Sequence, residues 1–184
     1  MRRSKRNIRA LTLTASLAAI ISVMSVIYIP MYPVPITLQL FAVYFSLYIA
    51  GGGIGSASVL IYFFIGVLGL PVFSGLRGGI GAVFDVTGGF ILGFVLLALV
   101  YWLLARLLPF RYGRLAATVV SLLSLYLFGT LWYSSVYLGG AGFWHSLTLT
   151  VLPFVIPDAI KIYLAYILAR RLRSHIGFLK EQKI

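Results

Sequence analysis

The chain of 184 residues is too apolar to be a soluble domain. Hydrophobic residues make up 61% of it, against 15 basic and 3 acidic residues. A soluble domain carries about 25% charged residues, so this chain lacks the charge to cover a surface facing water. Its lack of cysteine excludes disulfide scaffolds, iron–sulfur clusters and cysteine-based zinc sites. Composition therefore predicts an integral membrane protein.

The net charge of +12 is concentrated in three short clusters of basic residues. They lie at residues 2–9, 106–114 and 170–183, and together they hold 13 of the 15 lysines and arginines. Each cluster borders a long apolar run, a pattern typical of membrane helices whose basic residues stay on the cytoplasmic side. This distribution argues against nucleic acid as a partner.

Apolar runs of about 20 residues predict helices that span a bilayer. In chain order we predict six of them, at residues 10–29, 36–50, 54–70, 86–108, 115–138 and 147–168. The second and third are separated only by residues 51–53, all glycine, so these two could be tilted or partly merged. The chain is then one membrane domain over 1–184 with a basic tail at 169–184. The first run lacks an Ala-x-Ala site before Pro30, which favours a retained helix over a signal peptide.

The basic clusters set the predicted topology. Six helices with a cytoplasmic N-terminus place the 106–114 cluster and the 170–183 cluster on the cytoplasmic side as well, whereas five or seven helices would put one cluster outside. The predicted outer connections then hold a single cation, Arg77. We therefore expect a multi-pass protein of the cell membrane with both termini in the cytoplasm.

Motifs of enzymes are missing from the sequence. It has no Gly-Lys-Ser/Thr of a P-loop, no His-Glu-x-x-His and no Gly-x-Ser-x-Gly. The acidic residues are Asp85, Asp158 and Glu181, too few for a metal or phosphoryl-transfer site. His145, beside a tryptophan, is more typical of a membrane interface than of a catalyst, and His175 lies in the basic tail. We therefore expect neither an enzyme nor a bound cofactor or metal.

The segment Pro157-Asp158-Ala159-Ile160-Lys161 places two charges within the sixth apolar run. Residues at i and i+3 share one helix face, and ionisable residues inside a membrane are costly enough to suggest a function. Asp158 and Lys161 could form a purely structural ion pair. Side by side they also offer acceptors and donors, which suits a neutral ligand such as a cyclic urea.

The connection at residues 69–90 is rich in glycine yet also apolar and aromatic. Such a segment could be a flexible surface loop, but its phenylalanines and valines favour a lid that folds over a cavity. We expect the part at 70–85 to order when a ligand binds. Glycines allow close backbone approach, and Arg77 could hold a carboxylate. Gln39, polar within an apolar run, could face the cavity or cap a helix.

Four motifs resemble the BioY family, the biotin-binding S components of energy-coupling factor (ECF) transporters. They are Pro33-Val34-Pro35-Ile36-Thr37-Leu38-Gln39, Gly69-Leu70-Pro71-Val72-Phe73, Thr87-Gly88-Gly89-Phe90 and the Asp158–Lys161 segment. The resemblance covers nearly all of residues 10–173. It implies an all-α, six-helix bundle, a biotin site near the outer surface under the first and third outer loops, and three partners: a transmembrane coupling protein and two ATPase subunits.

The resemblance also implies roles for individual residues. Asp158 would accept a hydrogen bond from the biotin urea and Lys161 would donate to its oxygen, while Arg77, Ser74 or backbone N–H groups would meet the carboxylate. The other candidate ligand-binding residues are Phe73, Asp85, Gln39 and Thr37. Many family members have Gly-Pro where this chain has Asp85-Val86. Asp85 could therefore be a ligand group, a partner of Arg77 or, as we favour, the N-cap of the fourth helix.

Small residues on the first helix predict a docking face. Ala15 and Ala19 lie one turn apart with Ala18 beside them, and small residues let another helix approach closely in lipid. They could pack within the bundle, but the resemblance implies that they dock on the coupling protein. The predicted function is biotin capture for an ECF importer. The alternative is a stand-alone facilitator or a proton-coupled secondary transporter of a vitamin-like molecule.

Overall fold

The apolar runs fold into helices in the computed structural model, which describes residues 2–108, 112–137 and 142–175. Seven helices and one short β-hairpin make up these ranges. In chain order they are α1 Arg2–Val26, β1 Tyr28–Ile29, β2 Ile36–Thr37, α2 Gln39–Val67, α3 Ile80–Val83, α4 Gly88–Leu107, α5 Gly113–Tyr137, α6 Phe143–Thr150 and α7 Val155–His175.

Helix α2 is two helices joined by a sharp turn at Gly51. This glycine has φ 80° and ψ 164°, outside the helical region, a conformation that a residue with a Cβ rarely adopts. A Cβ on Gly55 would lie 2.8 Å from the Cα of Leu47, so the two halves are in direct contact. Counting them separately, six long helical segments form the described bundle. The second and third predicted helices are thus two segments that meet at Gly51.

Both ends of α2 lie beside the end of α1, so its two halves run in opposite directions. Leu38 N–H, just before α2, donates to the Ile27 carbonyl at 3.2 Å, and the Val72 carbonyl, just after α2, accepts from the Ser25 hydroxyl. Near the turn, Arg173 at the end of α7 donates to the Tyr48 carbonyl at 3.5 Å. At the far end, Gly79 N–H donates to the Gly66 carbonyl at 2.7 Å. We call the end of the bundle that carries residues 27–38 and 68–87 the loop end, and the opposite end, with the α2 turn, the basic end.

Two regions within the predicted helices are not α-helical. Residues 28–29 and 36–37 form the antiparallel β-hairpin rather than helix, with Tyr28 paired to Thr37, because the prolines between them cannot supply helical N–H groups. The sixth predicted helix, 147–168, is interrupted. Helix α6 ends at Thr150, a single 3-10 turn containing Pro153 follows, and α7 begins at Val155. The proline explains the break, since it lacks the N–H that a continuous helix needs.

The half of the core towards the basic end is packed with tyrosines. Tyr44 and Tyr101 are almost completely buried, and their rings meet edge to face at a centroid distance of 6.3 Å. Tyr48 stacks on Tyr44 at 5.6 Å, and its hydroxyl hydrogen-bonds Thr118 Oγ1 at 2.9 Å. The Tyr44 hydroxyl donates to the Thr118 carbonyl at 2.9 Å, so α5 supplies the partners that these two buried hydroxyls need. We call Tyr44, Tyr48 and Tyr101 the inner tyrosine cluster; it fills the described core between the α2 turn and α5.

Five described segments are long and apolar enough to cross a membrane, with α2 counted as one: Asn7–Val26, Gln39–Val67, Gly88–Leu107, Gly113–Val136 and Phe143–Ser174. Large apolar side chains also cover the outer faces of the bundle. On α5, for example, Leu123, Leu127 and Leu131 are exposed at intervals of four residues, which matches a surface that faces lipid. The chain is thus a multi-pass membrane protein.

Candidate functional site

A cavity lies inside the bundle beneath the loop end. It is enclosed by the first connection (residues 27–38), by the start of α2, by Ser74 of the 70–85 connection, and by the loop-end halves of α4, α5 and α7. The space between the lining atoms, counted together with the open solvent at its mouth, is about 620 Å³. Its walls are mostly apolar, with Leu40, Ile91, Phe94, Leu125 and Phe154 among the lining residues.

The predicted pair Asp158 and Lys161 lines this cavity. Helix α7 places both side chains on its inward face, where Asp158 is 5% and Lys161 9% exposed. Lys161 Nζ donates to Asp158 Oδ1 at 2.8 Å. The second oxygen, Oδ2, accepts a hydrogen bond of 2.7 Å from the hydroxyl of Tyr126 on α5. Each charge has an opposite charge beside it, which lowers the cost of placing it in an apolar wall. The Asp158 carboxylate can still accept further hydrogen bonds and the Lys161 ammonium can still donate, so both can bond a ligand.

Polar groups at the loop end face the same cavity. Gln39, Thr37 and Ser74, all predicted as site residues, line it. The Gln39 amide nitrogen Nε2 and the Ser74 hydroxyl are buried, and neither has a hydrogen-bond partner within the described residues. Buried polar groups are normally hydrogen-bonded. These two are therefore groups for which a ligand would supply the missing partner.

Arg77 and Asp85 lie outside this cavity, in an adjoining groove bordered by the first connection. The two side chains form an ion pair. Arg77 also donates from Nη2 to Thr87 Oγ1 at 2.8 Å and from Nε to the Ser74 carbonyl at 3.1 Å. The favoured role of Asp85 as a helix cap is wrong, since the N-cap of α4 is Thr87 and no side chain caps it. The alternative that paired Asp85 with Arg77 describes the structure.

Phe73 holds the 70–85 connection against the bundle instead of lining the cavity. It is completely buried, and its ring meets Tyr62 edge to face at a centroid distance of 5.6 Å. The ring lies directly over Gly66, where any Cβ would collide with it. The prediction of Phe73 as a ligand contact is therefore corrected. An apolar residue in a loop can fold inward wherever a glycine leaves room for it.

The three alanines of the predicted docking face divide between two surfaces of α1. Ala15 and Ala19 are exposed, but Ala18 is 1% exposed and packs inside the bundle. Ala18 lies with the buried residues Leu17 and Ile21 on the side of α1 that packs against the bundle. Ala18 is therefore removed from the docking face.

Of the remaining residues named in the sequence, His145 is not among those that line the cavity. His145 is exposed on the short helix α6, remote in sequence from the polar pair. The side chain of His175 and the whole of Glu181 lie outside the described residues. Within the described residues, no group of three His, Cys, Asp or Glu side chains could hold a metal ion.

Sequence reasoning missed three polar residues of the cavity wall, Thr87, Tyr126 and Thr150. Tyr126 contacts Asp158 directly, and Thr150 lines the cavity while its hydroxyl lies 3.2 Å from that of Thr130. Tyr126 is one of 12 tyrosines, a residue type that is common at membrane interfaces. Its one distinguishing signal was its position in the middle of the fifth apolar run, far from either predicted interface.

Comparisons with known proteins agree with this architecture. The model of the BioY family matches residues 1–178. A probable biotin transporter BioY of Pyrococcus horikoshii is 35% identical over 167 residues, which are 91% of this chain and 98% of that protein. The biotin transporter BioY of Thermotoga maritima is 36% identical over 156 residues, covering 85% and 90% of the two chains.

Two solved structures share the fold. The crystal structure of the S-component for biotin from an ECF-type ABC transporter superposes with a TM-score of 0.80 at 24% identity, over 95% of each chain. The S component of a bacterial ECF transporter has a TM-score of 0.65 at 14% identity, over 93% of this chain and 99% of the other. The named relatives are transporters, in agreement with the expectation that this chain is not an enzyme. On the family match and on these identities, the chain belongs to the BioY family.

Proposed function

We propose that this chain is the biotin-binding S component of an ECF-type importer. The observation that carries the proposal is the buried Asp158–Lys161 pair in the wall of a mostly apolar cavity. The names of its BioY relatives support biotin as the ligand. The chain captures biotin at the loop end and passes it on through partner proteins, because its sequence holds no ATPase motif.

Biotin has a polar urea and an apolar body, which suit the charged pair and the apolar wall of this cavity respectively. A cyclic urea has N–H donors beside a carbonyl oxygen, so Asp158 accepts from a ring N–H while Lys161 donates to the urea oxygen. Within the described residues, Lys161 donates one of its three ammonium protons to the protein, in the bond to Asp158 Oδ1. The apolar bicyclic body and the aliphatic chain then lie against Leu40, Phe94 and Leu125, in the manner of most small-ligand sites.

The biotin carboxylate lies towards the loop end in this arrangement. Ser74 Oγ and Gln39 Nε2 are the buried donors that lack a partner there, and both suit a carboxylate oxygen. Arg77 was the other candidate, but its guanidinium already donates to Asp85, Thr87 and the Ser74 carbonyl. We therefore assign the carboxylate to Ser74 and Gln39, and we assign to Arg77 the tethering of the connection above them.

The orientation in the cell membrane follows from charge. The described arginines near the basic end are Arg9, Arg106, Arg114, Arg170, Arg171 and Arg173. The described acidic residues, Asp85 and Asp158, lie in the half of the bundle towards the loop end. By the positive-inside rule the basic end faces the cytoplasm, with both termini, and the loop end faces outward. The cavity then lies where biotin arrives.

The coupling protein docks on the exposed alanines of α1. Ala15 and Ala19 leave a shallow strip between larger exposed neighbours such as Leu11 and Ile20. A helix of another protein can approach closely at such a strip, and close packing drives helix association in lipid. The proposed partners are thus biotin, the transmembrane coupling protein and, through it, two ATPase subunits.

Titration of purified variants with biotin tests the proposal. Loss of one partner of a buried, hydrogen-bonded charge pair typically costs more than about 1–3 kcal/mol, so Asp158→Asn and Lys161→Ala should each weaken biotin at least about tenfold. Asp85→Asn is the matched control, because it makes the same chemical change outside the cavity. If either cavity variant bound biotin as tightly as the parent chain while remaining folded, the site assignment would be wrong. Failure of the parent chain to bind biotin would reject the function itself.

A further inference from the structure

The two oxygens of the Asp158 carboxylate are held from opposite directions. Oδ1 accepts from Lys161, three residues further along the same helix, at 2.8 Å. Oδ2 accepts from the Tyr126 hydroxyl, on the neighbouring helix α5, at 2.7 Å. All three side chains line the cavity, so the arrangement forms part of the surface that a ligand meets.

Lysine alone would leave the orientation of this carboxylate poorly defined. The terminal torsion of an aspartate is broad rather than staggered, and a lysine ammonium sits on a flexible four-carbon stem that can follow a moving partner. Tyr126 differs in both respects. Its hydroxyl is fixed on a rigid ring, and that ring is 9% exposed between α5 and the cavity. A donor on a second helix thereby fixes the plane of the carboxylate.

We propose that Tyr126 is a positioning residue that presents the Asp158 carboxylate to a ligand N–H, an inference that rests on the proposed function. An ionised carboxylate has about four acceptor positions, and the two protein donors occupy one on each oxygen. With the plane fixed, the remaining positions have fixed directions as well. A ligand N–H gains a full hydrogen bond only if it lies along one of them, so Tyr126 contributes to selectivity without necessarily touching the ligand.

Carbon-13 NMR can observe this positioning directly, because the sequence contains just two aspartates, Asp85 and Asp158. Protein labelled at the aspartate carboxyl carbon gives two side-chain signals, and the Asp85→Asn variant assigns them. In ligand-free protein, Tyr126→Phe should shift the Asp158 signal and leave the Asp85 signal in place. Phenylalanine keeps the ring and its packing, so the variant removes little more than one donor.

Affinity provides the second measurement. Loss of a hydrogen bond to a charged group should weaken biotin about tenfold in Tyr126→Phe. Tyr48→Phe is the matched control, since it also removes a buried hydroxyl bonded to α5 but lies outside the cavity lining. It should change neither the affinity nor the Asp158 signal. Thermal unfolding of both variants, compared with the parent chain, separates a loss of positioning from a loss of fold.

The possible results are distinct. A shifted Asp158 signal together with weakened binding supports the proposal. An unmoved Asp158 signal overturns it, whatever happens to affinity, because Tyr126 would then act through packing alone. A shifted signal with unchanged affinity overturns the role in ligand presentation. Failure of the parent chain to bind biotin rejects the proposed function instead, while the signal of the ligand-free protein still reports whether Tyr126 holds the carboxylate.

Discussion

Replacement of Arg77 by alanine distinguishes a residue that reads the ligand carboxylate from one that tethers a loop. The guanidinium donates to the Asp85 carboxylate, to Thr87 Oγ1 and to the Ser74 carbonyl, so its hydrogen-bonding capacity is largely used within its own connection. A ligand would have to displace Asp85 before it could form an ion pair with Arg77. We therefore expect Arg77→Ala to loosen the connection without removing a ligand contact.

The size of the effect follows from exposure. The side chains of Arg77 and Asp85 are 38% and 41% exposed, and ion pairs this open to solvent are worth about 0–1 kcal/mol. A loss of that size corresponds to less than about fivefold in affinity. A charge-assisted hydrogen bond to the carboxylate itself would be worth about 1.5–3 kcal/mol, or more than about tenfold, and would be lost for biotin alone.

Titration of Arg77→Ala with biotin and with its carboxamide measures this difference. We expect both ligands to weaken by the same factor, below about fivefold. Ser74→Ala is the comparison variant, and it should weaken biotin more than the carboxamide, because a hydroxyl bonds a charged oxygen more strongly than a neutral one. A loss above tenfold for biotin with the carboxamide unaffected in Arg77→Ala would refute the reasoning and restore Arg77 as the carboxylate ligand.

Three further predictions concern the connection at 70–85 and the docking face. Hydrogen exchange of the backbone amides at 70–85 should slow when biotin is added, while the amides in the middle of α4 keep their rates; equal rates at 70–85 would argue against a lid. Gly66→Ala should destabilise the protein by about 1–3 kcal/mol in thermal unfolding, because its Cβ collides with the phenylalanine ring above it, whereas Gly53→Ala, with its nearest side-chain atom at 3.8 Å, should not. Ala15→Trp combined with Ala19→Trp should abolish co-purification with the coupling protein and spare biotin binding, unlike a tryptophan on the lipid-facing side of α5; persistent assembly would exclude this face.

The bundle was predictable from sequence because membrane helices depend on few signals. Six helical segments were located from apolar length, proline breaks and the glycines at 51–53. The main errors lie near prolines, where the chain forms a hairpin or a 3-10 turn in place of predicted helix. Asp158 and Lys161 were predictable for a related reason. A charged residue is easily recognised in an apolar run. Because burying it in a membrane is energetically costly, its presence there indicates a function.

Partners that approach across helices were harder to predict. Tyr126 reaches Asp158 from another helix, 32 residues away in the chain, and nothing in the local sequence of either residue indicates the other. Phe73 was assigned to the cavity because it is aromatic and lies in a loop, but the space beside Gly66 decides where its ring goes. Side-chain direction in a loop depends on such tertiary contacts, which periodicity does not encode.

The inner tyrosine cluster also has a consequence for the ion permeability of the membrane. Below the cavity, Tyr44, Leu97 and Tyr101 are each at most 2% exposed, so these described side chains form a packed apolar and aromatic layer. We expect a layer packed in this way to keep protons and sodium ions from crossing the membrane through the cavity. Cells could therefore accumulate many copies to scavenge a scarce nutrient, and their electrochemical gradients would not be dissipated.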